Sequence, residues 1–245
     1  MGGKVMKNLL KKIYFTLIGH PEMVSGEAYI RWMRSRGIRV GKGTKVIDPQ
    51  NIKVDDTRPE LITIGENVLL HEGTVLMTHD YASRAFVNRD SEFIPSHGRI
   101  TIGNNVWLGR GVTILKNVTI GDNVIIGLGS VVSKSIPSNS VAVGSPAHVI
   151  CSFDEYQAKR RAEFVNEAID YAIAIYESGR TPTVADFADD YPAFVDGSNW
   201  HEYDYPYSKV FTKPEQFEMW KKNHKAPFHG FDEFMKEVSR RRQSR

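Results

Sequence analysis

His79, in Met77-Thr-His-Asp80, stands at the mouth of a polar stretch, Tyr81–Arg99, and is the side chain best suited to chemistry. Imidazole has an unperturbed pKa of about 6.5, and a positioned general base contributes about 10²–10⁴-fold to a proton-transfer step. Asp80, Asp90, Glu92 or a backbone carbonyl could hold its second ring nitrogen. Adjacent strand residues point to opposite faces, which counts against Asp80 as the orienter of its own neighbour. Trp107 is the only aromatic residue in 100–150, and Lys134, taken alone, is a solvated cation. The single cysteine, Cys151, excludes an intrachain disulfide and is read as packing. Other patterns fail on spacing. His71-Glu72 lacks the second histidine of a zinc-protease motif, no GxGxxG occurs, and Gly37-Ile-Arg-Val-Gly-Lys42 is one residue short of a phosphate loop.

The elements that must position these side chains follow from an internal repeat. Ile102, Leu108, Ile114, Ile120, Ile126 and Val132 recur every six residues, and Val106, Val112, Val118, Val124, Ser130 and Ile136 lie four after each. A helix period of 3.6 drifts off that grid. Strict strand alternation fails too, because the third place holds Asn104, Arg110, Lys116, Asp122 and Lys134, with Leu128 the exception. Short strands joined by tight corners fit, and Gly103, Gly109, Gly121, Gly127, Asn104–Asn105 and Asp122–Asn123 suit the corners. The grid returns upstream at Ile64, Leu70 and Leu76 and weakly around Ile38, Val46 and Ile52, but stops between Tyr81 and Ile100. Residues 81–99 are therefore read as a loop ejected from a rigid scaffold, the kind of segment that carries function.

Composition divides along the same line. The chain has 245 residues and 26 aromatics, of which seven lie in 1–99 and eighteen in 151–245, while 100–150 holds twenty Ile, Leu or Val. Two kinds of core are expected, one of narrow aliphatic layers and one rich in rings. Residues 151–245 predict a helix from a Ser152 or Asp154 cap through about Ser178, stopped by Gly179. A second helix starts at the Thr212…Glu215 capping box with Pro214 in its first turn, and a short third one around Phe231 and Phe234 ends in the basic tail Arg240–Arg242. Tyr191–Tyr207 reads as an ordered irregular segment.

Ile64-Gly-Glu-Asn-Val-Leu, Ile102-Gly-Asn-Asn-Val-Trp-Leu-Gly, the run Val118–Lys134 and the closing Val141-Ala-Val-Gly-Ser-Pro-Ala147 resemble the hexapeptide-repeat acyltransferases, in particular the sugar and capsular-polysaccharide O-acetyltransferases. The resemblance implies an all-β left-handed parallel β-helix over 38–150, with a basic helical segment at 1–37 and an α-helical extension at 151–245. It implies acetyl-CoA as co-substrate, a homotrimer with sites between subunits, and a sugar or polysaccharide-precursor acceptor. His79 takes the place of the family's general base. Gly109, Ser130, Ser133 and Lys134 take the coenzyme positions, and a backbone N–H near Gly109 is a candidate oxyanion donor. Trp107 is a wall for the acceptor or the pantetheine arm, with Asp80 and Tyr81 as substrate-side residues. Two departures are Leu128, where the pattern usually has Ala, and His148, where Arg or Lys is common.

Related β-helices include zinc carbonic anhydrases. Catalytic zinc needs three convergent ligands, whereas His71, His79 and His97 fall at spacings of eight and eighteen, the last across a loop, so no metal is expected. Rival readings are an N-acetyltransferase on an amino-sugar nucleotide and a non-catalytic β-helix scaffold. Lys4, Lys7, Lys11, Lys12, Arg31, Arg34, Arg36 and Arg39 could give a weak membrane-surface contact, although a solvated helix face is favoured. Few aromatics interleave with these cations, which argues against nucleic acid. The apolar stretch Ile13–Ile18 is too short for a bilayer span or a signal sequence, and the protein is read as cytoplasmic.

Overall fold

The computed structural model describes residues 6, 10, 13–17, 19–211 and 213–244. Lys4, Lys7, Lys11, Lys12 and the predicted cap Thr212 lie outside that set. The chain forms two compact units, 1–156 and 157–245.

In the first unit the six-residue grid becomes three columns of parallel strands. One column stacks Val40, Ile64, Ile102 and Ile120 in register. A second stacks Val46, Leu70, Leu108, Ile126 and Ala142. The third stacks Val54, Leu76, Ile114 and Val132. The pairing of 102 with 120, 108 with 126 and 114 with 132 gives coils of 18 residues, three hexapeptides each. Side chains alternate in and out on every short strand, so each grid residue buries its aliphatic chain on the one in the next coil. Full burial of such a chain is worth about 1.5–3 kcal/mol.

The corners tighten the stack. Asn67, Asn105, Asn123 and Asn139 all take left-handed backbone conformations. Asn105 Nδ2 donates to Asn123 Oδ1, and Asn123 Nδ2 to Asn139 Oδ1, each at 2.8 Å. Asparagine tolerates positive φ and supplies both a donor and an acceptor, so one residue type serves the turn and the ladder. Two features close the ends. The helix Gly26–Ser35, capped by Ser25 Oγ on Ala28 N–H, buries Tyr29, Ile30 and Met33. At the other end, Ser140–Gly144 pairs antiparallel with Ala147–Ser152.

The segment 81–99 is more ordered than a plain loop. His79–Asp80 pairs antiparallel with Ser96–His97, and Ser83–Asp90 forms a helix between them. The polar composition hid that helix, whose N-terminus has no side-chain cap.

The helix Phe153–Glu177, which begins within residues 1–156 and runs on into 157–245, starts with a capping box, Ser152 Oγ accepting from Glu155 N–H and Glu155 Oε2 from Ser152 N–H. It ends before Gly179, which has φ +82°. Short 3-10 turns at Val184–Phe187, Tyr191–Ala193 and Trp200–Glu202 follow. The helices Pro214–Asn223 and Phe231–Gln243 complete the unit. The former is capped at Lys213, whose N–H donates to Gln216 Oε1. The latter carries the expected basic tail Arg240–Arg242 in its last turn. No helix among the described residues is long and apolar enough to cross a membrane.

Candidate active site

The third column of strands positions His79. Along Val75–Met77 and onward, Leu76 and Thr78 turn inward and are fully buried, while Met77 faces outward. His79 follows where the chain leaves the coil, and its side chain is 11% exposed. One coil earlier, Asp55 follows Val54, and its backbone N–H bonds Leu76 O at 2.9 Å, extending the ladder by one residue.

That register delivers the Asp55 carboxylate to the histidine. His79 Nδ1 lies 2.5 Å from Asp55 Oδ2. The same oxygen accepts from Thr78 N–H at 3.2 Å and from the Thr78 hydroxyl. Oδ1 accepts from Thr57 N–H at 3.1 Å and Thr57 Oγ1 at 2.7 Å. Burial pushes the Asp55 pKa up, but the hydrogen bonds from Thr57, Thr78 and His79 outweigh it and hold the group well below the ordinary carboxylate range. An ionised carboxylate only accepts, so Nδ1 carries the ring proton and Nε2 is left with its lone pair. Asp55, 24 residues upstream, therefore does what was expected of Asp80, Asp90, Glu92 or a carbonyl. Its signal in the sequence was weak, because the upstream coil is the irregular one and its register could not be counted.

Asp80 has a different task. Its Oδ1 accepts from Ala82 N–H at 3.0 Å, and Lys116 Nζ donates to Asp80 Oδ2 and to Ser96 Oγ, tying the base of the excursion to the next coil. Tyr81 is 73% exposed and meets the His79 ring edge to face, with centroids 4.9 Å apart. Together with Lys53, Val54, Asp55, Leu76 and Met77 these residues line an open cleft of about 450 Å³.

The other expected residues lie elsewhere on the first unit. Trp107 is on the second column, 39% exposed, with its ring 5.9 Å from that of His71. Gly109 follows it, and a Cβ there would sit 2.6 Å from Leu128 N, so only glycine fits. The N–H of Gly109 itself is bonded to Ile126 O at 2.9 Å, so an oxyanion donor near Gly109 would be a neighbouring backbone N–H. Ser130 is fully buried and its hydroxyl accepts from Gly144 N–H at 3.1 Å, so its side chain packs as a core group. Ser133 and Lys134 are exposed just past the last strand of the third column. Leu128 is 79% exposed, and His148 is also on the surface. Among the described residues, no three His, Cys, Asp or Glu side chains converge as a metal site would require.

The repeat profile described as bacterial transferase hexapeptide (six repeats) matches residues 99–134. Protein CapG of Staphylococcus aureus is 39% identical over 127 residues, spanning 52% of this chain and 73% of that protein. Galactoside O-acetyltransferase of Escherichia coli K12 is 35% identical over 144 residues, 59% of this chain and 66% of its own length. A maltose O-acetyltransferase structure from Clostridium difficile 630 is 32% identical, with 59% of this chain and 87% of that one covered at a TM-score of 0.45. The chain belongs to the hexapeptide-repeat acyltransferases, enzymes built on the left-handed parallel β-helix. The match to protein CapG spans about half of this chain's length.

Proposed function

We propose that the protein transfers an acetyl group from acetyl-CoA to a hydroxyl of a sugar or polysaccharide precursor, with His79 as general base. The observation that carries this reading is the 2.5 Å contact between His79 Nδ1 and the ionised Asp55. Nε2 takes the acceptor's hydroxyl proton as its oxygen attacks the thioester carbonyl. Collapse of the tetrahedral intermediate breaks the C–S bond and completes the ester. The proton returns from the imidazolium to the coenzyme's thiolate, releasing free CoA. Asp55 stabilises the transient imidazolium and stays ionised, since its hydrogen bonds favour the charged form.

Gly109, Ser133 and Lys134 are the coenzyme contacts in this reading, Lys134 offering a point charge to phosphate. Trp107 lines the acceptor or pantetheine path. Trp107 lies on the second column and His79 just beyond the third, where the chain leaves the coil, which favours sites shared between subunits of a homotrimer. Acetyl-CoA is a metabolite of the cytoplasm, the compartment proposed for the enzyme.

His79→Ala is expected to lose about 10²–10⁴-fold in acetyl transfer while keeping the fold and the trimer. Retained turnover on a true acceptor would sink the assignment. Hydroxylamine treatment of the product distinguishes the ester from the amide that an N-acetyltransferase would make. Absence of acetyl-CoA binding by calorimetry would favour the scaffold reading instead.

A further inference from the structure

From the charges of the His79 cleft we infer that Lys53 selects an acceptor carrying an anionic oxygen group, a phosphate or a carboxylate. This rests on the O-acetyltransferase reading and narrows its substrate class.

Lys53 belongs to the strand Lys53–Val54, with its N–H bonded to Thr74 O at 2.9 Å, so its backbone is held by the ladder. Alternation sends Val54 into the core and leaves Lys53 exposed on the cleft wall. Each carboxylate of that wall is already committed. Asp55 is buried among donors from Thr57, Thr78 and His79, and Asp80 is ion-paired with Lys116. The neighbouring Asp56 pairs with Arg36 at 3.1 Å. No ion pair or hydrogen bond engages the Lys53 ammonium among the described residues.

The rest of the lining is largely apolar, with Val54, Leu76, Met77 and the ring of Tyr81. A cation beside such a wall loses part of its water to any bound acceptor, so an anionic partner is worth more there than on an open surface. A neutral sugar would leave that charge without compensation. The cleft therefore offers one base to a hydroxyl and one cation to an anion on the same acceptor.

The test compares glucose, glucose 1-phosphate and glucuronate as probes of the full chain, by calorimetric binding and by acetyl-CoA turnover. Wild type is expected to bind the two charged sugars more tightly than glucose, and the two charged probes separate phosphate from carboxylate preference. Lys53→Gln should weaken the preferred charged sugar about tenfold, in a salt-sensitive way, with glucose and acetyl-CoA binding unchanged. Lys53→Glu should weaken it further. In turnover, Lys53→Gln should raise KM for the charged acceptor and leave kcat near wild type.

Equal binding of the charged sugars by wild type and Lys53→Gln, or no preference for them over glucose, overturns the inference. Those results leave the acetyltransferase reading intact as long as His79→Ala still abolishes transfer. Conversely, turnover that survives His79→Ala removes that reading, and the binding series then stands by itself as the test of Lys53.

Discussion

The two units solve the same burial problem in opposite ways. In the β-helix the fully buried residues are Ile64, Ile102, Ile120 and their kin, stacked one coil above another with scarcely a ring among them. In residues 157–245 the centre is Phe187, Phe194 and Phe234, with Phe187 edge to face on Phe234 at 5.2 Å and on Phe194 at 6.2 Å. A narrow prism has room for one branched aliphatic per face and coil, so repetition and small side chains come together. An aromatic core has no such lattice, and each ring is placed by several partners far apart in sequence. Tyr29 shows the boundary of the rule. It is 1% exposed in the first unit, but on the capping helix, where its ring packs 5.0 Å from Trp32. Rings are excluded from the coils and not from their ends.

This contrast can be broken by mutation, and the largest effect should come from the aromatic unit. Phe187→Ala removes a ring that touches Tyr171, Phe194, Phe231 and Phe234, and should cost about 3–5 kcal/mol by denaturant unfolding. Protection from hydrogen exchange should fall throughout residues 157–245. Asn123→Ala should cost about 1–2 kcal/mol, because alanine takes φ +55° poorly and both amide bonds of the ladder are lost. Ile114→Val should cost about 0.5–1.5 kcal/mol, with exchange rising chiefly at Leu76 and Val132, its neighbours in the column. An Ile114→Val effect that spread evenly over the β-helix would contradict the nearest-neighbour picture.

Acid should separate the units by sign. Asp55 has a folded pKa below its unfolded value, so its contribution is present above about pH 4 and is lost as pH falls through the depressed folded value. Asp190 is the reverse case. Burial, then Asp189 and Glu167, raise its pKa, so it costs stability when ionised and that cost is relieved as pH falls through the raised folded value. Residue-resolved hydrogen exchange followed below about pH 4 should show protection falling around Asp55, while protonation of Asp190 adds protection in its own unit instead of removing it. Asp55→Asn should remove the Asp55 component of that profile.

How much of this was legible in advance follows from periodicity. Ile102 through Val132 revealed the coils because a stacked lattice demands the same residue class at the same interval. The break at Tyr81 revealed an excursion but not its helix Ser83–Asp90, which has little apolar periodicity to betray it. Ser130 shows how grid position and family pattern can point different ways. Its grid position already pointed inward, and the structure confirms that its hydroxyl faces Gly144 in the core, whatever coenzyme position the family pattern suggested. For the helix Phe153–Glu177, Ser152, one of the two expected caps, and Gly179 marked the ends, since caps are local chemistry.

The sequence by itself determined the six-residue repeat of short strands and the motifs that resemble the hexapeptide-repeat family, and that resemblance implied the β-helix and His79 as the candidate base, because the repeat and motifs depend on residue type at short, countable spacing. Only the tertiary structure decided that Asp55 holds His79, that Lys116 holds Asp80, and that Lys53 is left facing the cleft. Those relations join residues 24 and 36 positions apart, across coils of unequal length. A hydrogen bond depends on where the ladder's register brings two side chains, and that register is set by the stacking of whole coils.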